Sequence, residues 1–248
     1  MRRMVLMMTI AAATACVPSC GGDEDNGAPE RKRQQTRPAA TGEAPTASNG
    51  LVKIELVLPQ PRFAGTPKNI PPGTTVEVRK GPRPPLMAPE GTTNVALGKP
   101  VTASDDEPII GEVSVITDGD KEAVEGSYVE FGPGTQYVQI DLGKTYEIHA
   151  VVVWHYHGDP RVYRDVVVRV GDDPDFITYQ TIFNNDHDSS SGLGVGTDRE
   201  YFETFEGKLI RAGGVRGRYV RLYSRGSTAD EMNHYTEVEV YGLGLRQE

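Results

Sequence analysis

From Thr92 onward the chain is built of short runs with a two-residue period, and no segment longer than ten residues holds a helical one. "YVQIDL" (137–142) places Val138, Ile140 and Leu142 on one face, and "YRDVVVRV" (163–170) does the same with Val166, Val168 and Val170. "RYVRLYS" (218–224) pairs Val220 with Leu222, and "YTEVEVYG" (235–242) alternates Val238 and Val240 with Glu237 and Glu239. Side chains that alternate between two faces are the mark of a strand. "EIHAVVVWH" (147–155) is almost continuously apolar and suits a strand covered on both faces. Short strands separated by turn residues predict an all-β fold, an antiparallel β-sandwich of jelly-roll type. About 150 residues suffice for one substantial core.

The chain before Thr92 has a different composition. "MRRMVLMMTIAAATACVPSC" (1–20) carries two arginines, an apolar run from Met4 to Ala15, then small residues, and reads as a bacterial export signal. The apolar run is too short to span a bilayer. The chain's only cysteines, Cys16 and Cys20, end this segment, so the body has neither a disulfide nor a thiolate metal site. "VPSC" resembles a lipobox with Cys20 as the lipidated residue; "ATAC" offers Cys16 as the alternative, and an ordinary secretory signal is the other reading. Residues 21–50 contain no aromatic side chain and too little apolar surface to offset ordering entropy, which predicts a disordered linker. Residues 51–91 begin with "LVKIELVL" and continue through many prolines. They read as an extended arm that packs on the next domain or as a stiff spacer. A globular domain is expected over 92–243, followed by a tail at 244–248. The expected location is the bacterial envelope, as an outer-membrane or cell-surface lipoprotein held by its lipid anchor.

Charge is unevenly distributed. Residues 1–93 hold 12 Lys/Arg against 8 Asp/Glu, whereas residues 94–243 hold 13 against 26. A net charge of −13 on the globular part argues against nucleic acid as a partner, since phosphates would be repelled.

Five stretches, in order, carry a resemblance: "NVALGKPVTAS" (94–104), "VITDGD" (115–120), "YVQIDLGKTYEIHAVVVW" (137–154), "RGRYVRLYS" (216–224) and "YTEVEVYG" (235–242). Together they resemble the discoidin domain, also called the coagulation factor V/VIII type C domain, of the galactose-binding-like jelly rolls. In that family 137–154 corresponds to two central strands joined by an aspartate and glycine turn. The resemblance implies a non-catalytic binding module whose ligands, among them sugars, lipid headgroups and proteins, sit on loops at one end of a rigid frame. Fold alone does not choose among them. The resemblance also implies a structural calcium. Its ligands would be Asp118, Asp120 and Glu237, with Ile116 and Thr236 as carbonyl donors, an oxygen set that calcium accepts. The competing reading is an Asp-Gly turn beside a solvent-facing strand glutamate. The family's Thr/Ser-Trp after this turn is replaced here by "KEAVEGSYVEF".

Three further segments carry chemistry. In "WHYHGDPRVYRD" (154–165), Trp154 reads as core, while His155, Tyr156, His157, Arg161 and Tyr163 line the ligand-facing end. Aromatic faces stack on sugar rings, and Arg and His bond hydroxyls, which suits carbohydrate. His155 and His157, with His187 or His234 as third ligand, form the alternative of a transition-metal hydrolase. The fucose-binding branch of the superfamily uses a histidine with a spaced pair of arginines, a spacing absent here. "SRGSTADEMNHYTE" (224–237) adds Arg225, Asn233, His234 and Tyr235, either as ligand contacts or as a capped turn. "FNNDHDSSSGLG" (183–194) has the wrong spacing for an EF-hand, because the sixth position from Asp186 is Ser191 and the twelfth Thr197. It reads as a self-hydrogen-bonded loop, a second calcium site, or a ligand contact through His187. The remaining alternative is an envelope interaction lipoprotein that binds a protein partner.

Overall fold

Valine-rich segments set the frame, because β-branched side chains fit a pleated, half-buried surface. The computed structural model describes residues 50–63, 75–76 and 78–245. The signal segment, both cysteines and the linker up to residue 49 lie outside the described residues, as does the tail from 246. Eleven strands follow in order. They are β1 (Leu51–Ile54), β2 (Leu86–Pro89), β3 (Thr93–Asn94), β4 (Val101–Ala103), β5 (Val129–Phe131) and β6 (Gln136–Trp154), then β7 (Val167–Gly171), β8 (Gln180–Asn184), β9 (Lys208–Ser224), β10 (Asn233–Tyr235) and β11 (Glu237–Gly244). A 3₁₀ turn, Val113–Thr117, precedes β5. Every pairing is antiparallel.

The main sheet runs β3-β11-β6-β9-β7-β8, with β4 also beside β6, while β10-β5 and β1-β2 form separate pairs. The long strands β6 and β9 pair along both halves: Gln136–Asp141 faces Ser224–Tyr219, and Tyr146–Val153 faces Gly217–Lys208. The pair of strands expected over 137–154 is therefore a single strand. Its register slips between Asp141 and Tyr146 around Gly143, which has a φ of 85°. The irregularity bends the strand without ending it. Both halves line one core. Val138, Ile140, Ile148, Val151 and Val153 of β6 pack with Ile116, Phe131, Val168, Val220, Leu222, Tyr235 and Val238.

A second cluster lies on the other side of the sheet. Leu86 of β2, with Ile54 and Leu56, covers Ala150, Val152, Trp154, Leu209 and Tyr241. Here the arm packs on the domain. Polar contacts extend it: Gln60 N–H donates to Glu122 at 3.1 Å, Arg83 N–H to Glu206 at 2.9 Å, and Arg79 pairs with Glu206. Trp154 is buried beneath the arm, its indole N–H donating to the Phe205 carbonyl at 2.9 Å. Gly207, with a φ of 67°, passes so close to the indole that a Cβ there would meet the ring at 2.6 Å.

Candidate functional site

Connections after β6, β8 and β9 are stitched together through Arg164, Asp165 and Val166. Arg164 and Arg225 exchange backbone hydrogen bonds with the partner segment (Arg164 N to Gly226 O, 3.0 Å; Arg225 N to Arg164 O, 2.9 Å). Asn185 bonds Val166 through both backbone and side chain (3.1 and 2.7 Å), and Ser190 Oγ donates to Asp165 at 2.7 Å. The polar connectors therefore meet.

Between the start of the connection after β6 and the residue preceding β5 stand two half-buried rings, Tyr156 and Tyr128, edge to face at 5.0 Å. The His234 ring lies 5.9 Å from each. The Arg161 guanidinium sits 4.8 Å over the Tyr156 ring. It forks onto Asp159 at 2.8 and 2.9 Å and reaches Asp230 at 3.4 Å. Burial opposes the Arg161 charge, but the bond to Asp159, with Tyr163 and Asp230 nearby, raises its pKa above the ordinary value. The same bond holds the Asp159 carboxyl low. Burial, then Arg161, lowers the His234 pKa and favours the neutral ring. The partners fix its tautomer: Tyr163 O–H donates to Nδ1 at 3.0 Å, and Nε2–H donates to Glu130 at 3.0 Å. Gly158 leaves room for the Tyr156 hydroxyl, which a Cβ at that position would strike. The product is a rigid, partly open rim of two aromatic rings, a fixed guanidinium and three carboxylates.

Not every expected contact residue lies on this rim. His155 is fully enclosed, hydrogen-bonded through Nδ1 to Glu203 at 2.6 Å and stacked on Tyr163 at 4.4 Å. His157 is equally enclosed, its Nε2–H donating to the Lys121 carbonyl at 2.8 Å. The two histidines serve different partners inside the domain and do not converge on one ion. Tyr163 is buried and acts through His234. Asn233 is buried with all its bonding capacity used, accepting from Ser224 Oγ and Gly226 N and donating to Gly132 O and Gly134 O. Of the two readings open for Asn233, ligand contact and capped turn, these bonds fit the turn. Tyr235 is buried as well, against Phe131 and His155. Arg225 is exposed, 3.9 Å from Asp165. His187 is exposed and bonds Thr75 Oγ1 at 2.8 Å, apart from the ring cluster.

The 183–199 loop ties itself down. Asp186 accepts from Ser190 N at 3.1 Å, Ser191 N at 3.0 Å and the Ser191 hydroxyl, while Asn184 bonds Asp186 N and Gly194 O. The loop also draws Asp165, Asp186 and Asp188 together, with carboxylate oxygens within 4.8 Å of one another.

The acidic turn meets β11. Gly119 N–H donates to Glu237 Oε2 at 3.1 Å, and burial, followed by Glu239 and Asp118, pushes the Glu237 carboxyl up to about 9. Glu237 Oε1 is buried without a hydrogen-bond partner, as is the neighbouring Thr236 hydroxyl. An orphaned, buried carboxylate oxygen beside a second carboxylate fits a hard cation. Asp120 fits less well, because its oxygens take Glu122 N at 2.9 Å and Ser127 Oγ at 2.7 Å. Ile116 is fully buried one turn away.

Four rim residues escaped the sequence reading: Tyr128, Glu130, Asp159 and Asp230. Tyr128 and Glu130 alternate with buried Val129 and Phe131, so a period-2 reading of "SYVEF" would have put both on the outward face.

No family model matches the chain, and no curated protein matches it. Solved structures do resemble it. One is the CBM32 module of AlyQ in complex with 4,5-unsaturated mannuronic acid, 23% identical over 57% of this chain and 92% of that one, with a TM-score of 0.37. Another is a fucose-binding module of Streptococcus pneumoniae, 19% identical over 60% and 97%, with a TM-score of 0.42. A third is the fucolectin from striped bass (Morone saxatilis) serum, 19% identical over 63% and 49%, with a TM-score of 0.43. The chain also matches a family 89 glycoside hydrolase from Clostridium perfringens but spans 15% of its length. By its own strand order and register, the domain described here is an all-β, antiparallel jelly-roll sandwich.

Proposed function

We propose that the protein is a non-catalytic carbohydrate-binding module whose ligand sits on the rim formed by Tyr128, Tyr156, Arg161 and His234. The observation that carries this reading is the pair of half-exposed tyrosine rings beside a guanidinium clamped on two carboxylates. Rings supply an apolar face for a pyranose, while Arg161, Asp159 and Glu130 supply donors and acceptors for its hydroxyls. Three carboxylates against one guanidinium and a neutral histidine favour a neutral or amino sugar over an acidic one. Calcium belongs to the same reading: Glu237 and Asp118 would hold it, and its charge would fix the acidic turn against β11. Anchoring in the bacterial envelope through Cys20, or Cys16, completes the proposal and rests on the sequence alone.

Binding of the purified protein to a glycan array, followed by titration calorimetry, tests the site. Tyr156→Ala and Tyr128→Ala are each expected to weaken binding about tenfold or more, the scale of losing one stacked ring. Retained affinity in both variants would move the ligand elsewhere.

A protein partner in the envelope is the second reading. It is favoured by β1, where Leu51 and Val52 are exposed, and by Val57, which is 81% exposed. Capture of an envelope protein that is lost on Leu51→Lys, with no glycan bound, would select it.

A further inference from the structure

The first half of β6 and the second half of β9 turn a different surface outward, with β7 buried alongside them. Register places Gln139 opposite Arg221 and Arg221 opposite Arg169, so two guanidinium groups stand on neighbouring strands of one face. Like charges directly across a strand pair repel. Here each guanidinium lies against aromatic rings. Arg221 lies 4.5 Å from the Tyr137 ring and 4.2 Å from Phe176; Arg169 lies 4.1 Å from Tyr179 and 5.4 Å from Tyr223.

Their hydrogen bonds go only to neutral acceptors. Arg221 donates to Gln139 Oε1 at 2.7 Å, Pro174 O at 2.9 Å and the Tyr223 hydroxyl at 3.4 Å. Arg169 donates to Leu193 O at 2.9 Å, and its Nε has no partner although the residue is only 7% exposed. Among the described residues neither arginine pairs with a carboxylate. The nearby Asp173 turns its oxygens to the amides of Asp175 and Ile177 (3.0 and 2.9 Å). On the same face Arg218 does have its carboxylate, Asp141, at 2.7 Å. Acidic residues outnumber basic ones two to one across this domain, so a pair of arginines without a carboxylate in direct contact is a local exception; Asp173 acts on Arg221 only through space. A ladder built for stability alone would gain from a carboxylate between them. The Arg221 part of the face is accessible, since Tyr137, Gln139 and Arg221 are half-buried and Tyr179 is 45% exposed, while Arg169 lies buried beneath Tyr179.

We propose that this face is a second ligand surface, separate from the Tyr128–Tyr156 rim, and that it takes an acidic polysaccharide whose uronate or sulfate group pairs with Arg221 between the Tyr137 and Tyr179 rings, with the buried charge of Arg169 behind it. Guanidinium groups prefer such planar or multidentate oxyanions, and neighbouring rings hold the sugar that carries them. The inference does not depend on the rim being a sugar site.

Affinity electrophoresis and calorimetry of the full-length protein test it with polygalacturonate, dextran sulfate and unmodified dextran. The expected result is binding to one or both charged polymers and none to dextran. Which polymer binds identifies the group as uronate or sulfate. Arg221→Gln should weaken it at least tenfold, Tyr179→Ala should weaken it, and rising salt should weaken it further. Arg211→Gln, an exposed arginine on the other half of β9, is the charge-matched control and should leave it unchanged. Arg169→Gln is read only where circular dichroism stays native. The inference is overturned if neither charged polymer binds, if Arg221→Gln and Tyr179→Ala both bind normally, or if Arg211→Gln causes an equal loss.

Discussion

Buried Glu237 has one carboxylate oxygen on the Gly119 amide and the other on nothing. With its pKa raised to about 9 by burial, the group favours the folded state when protonated. That contribution is complete below its ordinary value of 4.5 and is lost as pH rises towards 9. Thermal unfolding in chelator should therefore show a midpoint that falls across this window. If calcium binds there, adding it at neutral pH should raise the midpoint, by roughly 2–4 °C for each kcal/mol of linked binding. Glu237→Gln keeps the shape and removes the charge. It should flatten the pH dependence and abolish the calcium response; a variant that still responds fully would remove Glu237 from the ligand set. The same scale separates rim from support. His155, His157 and Asn233 are polar residues in loop-rich sequence, yet each is buried against a specific partner, Glu203, Lys121 and the 132–134 carbonyls. Residue type shows that a group can bond but not whether its partner is solvent, ligand or its own chain.

At the scale of elements, the arm is where packing decides most. Leu86 is 2% exposed and fills the space over Trp154 and Val152. Leu86→Ala should cost about 2–5 kcal/mol, read from the urea midpoint at unchanged slope. A loss below about 0.5 kcal/mol would mean that the hairpin adds nothing to the sandwich. β2 was not legible beforehand, because "LMAP" sits among prolines and Pro89 ends the strand itself. The strands β7, β9 and β11 were legible because valines and leucines alternate with polar residues along them, although β7 and most of β11 are buried on both faces. β6 was read as two strands because Asp141 and Gly143 look like a turn, whereas pairing with β9 on either side carries the chain through. The rim was legible only in part: Tyr156, Arg161 and His234 fall in conspicuous polar segments, while Tyr128 precedes and Glu130 sits on a three-residue strand whose pairing with β10 is non-local.

For the molecule as a whole, the β1–β2 hairpin, a strap over the sandwich, has a mechanical consequence. Leu51 lies opposite Pro89 and Ile54 opposite Leu86, so the chain enters and leaves the hairpin at the same end. A pull from upstream of Gly50, against a domain held by its ligand, therefore opens this zipper one rung at a time instead of shearing it. Single-molecule stretching between those two points should give an early, low-force step that releases the 51–89 segment, roughly 130 Å of extended chain, before the sandwich yields at higher force. A single high-force event would mean that strap and sandwich rupture together. In the first case the hairpin acts as a shock absorber, lengthening under load while the binding face keeps its shape.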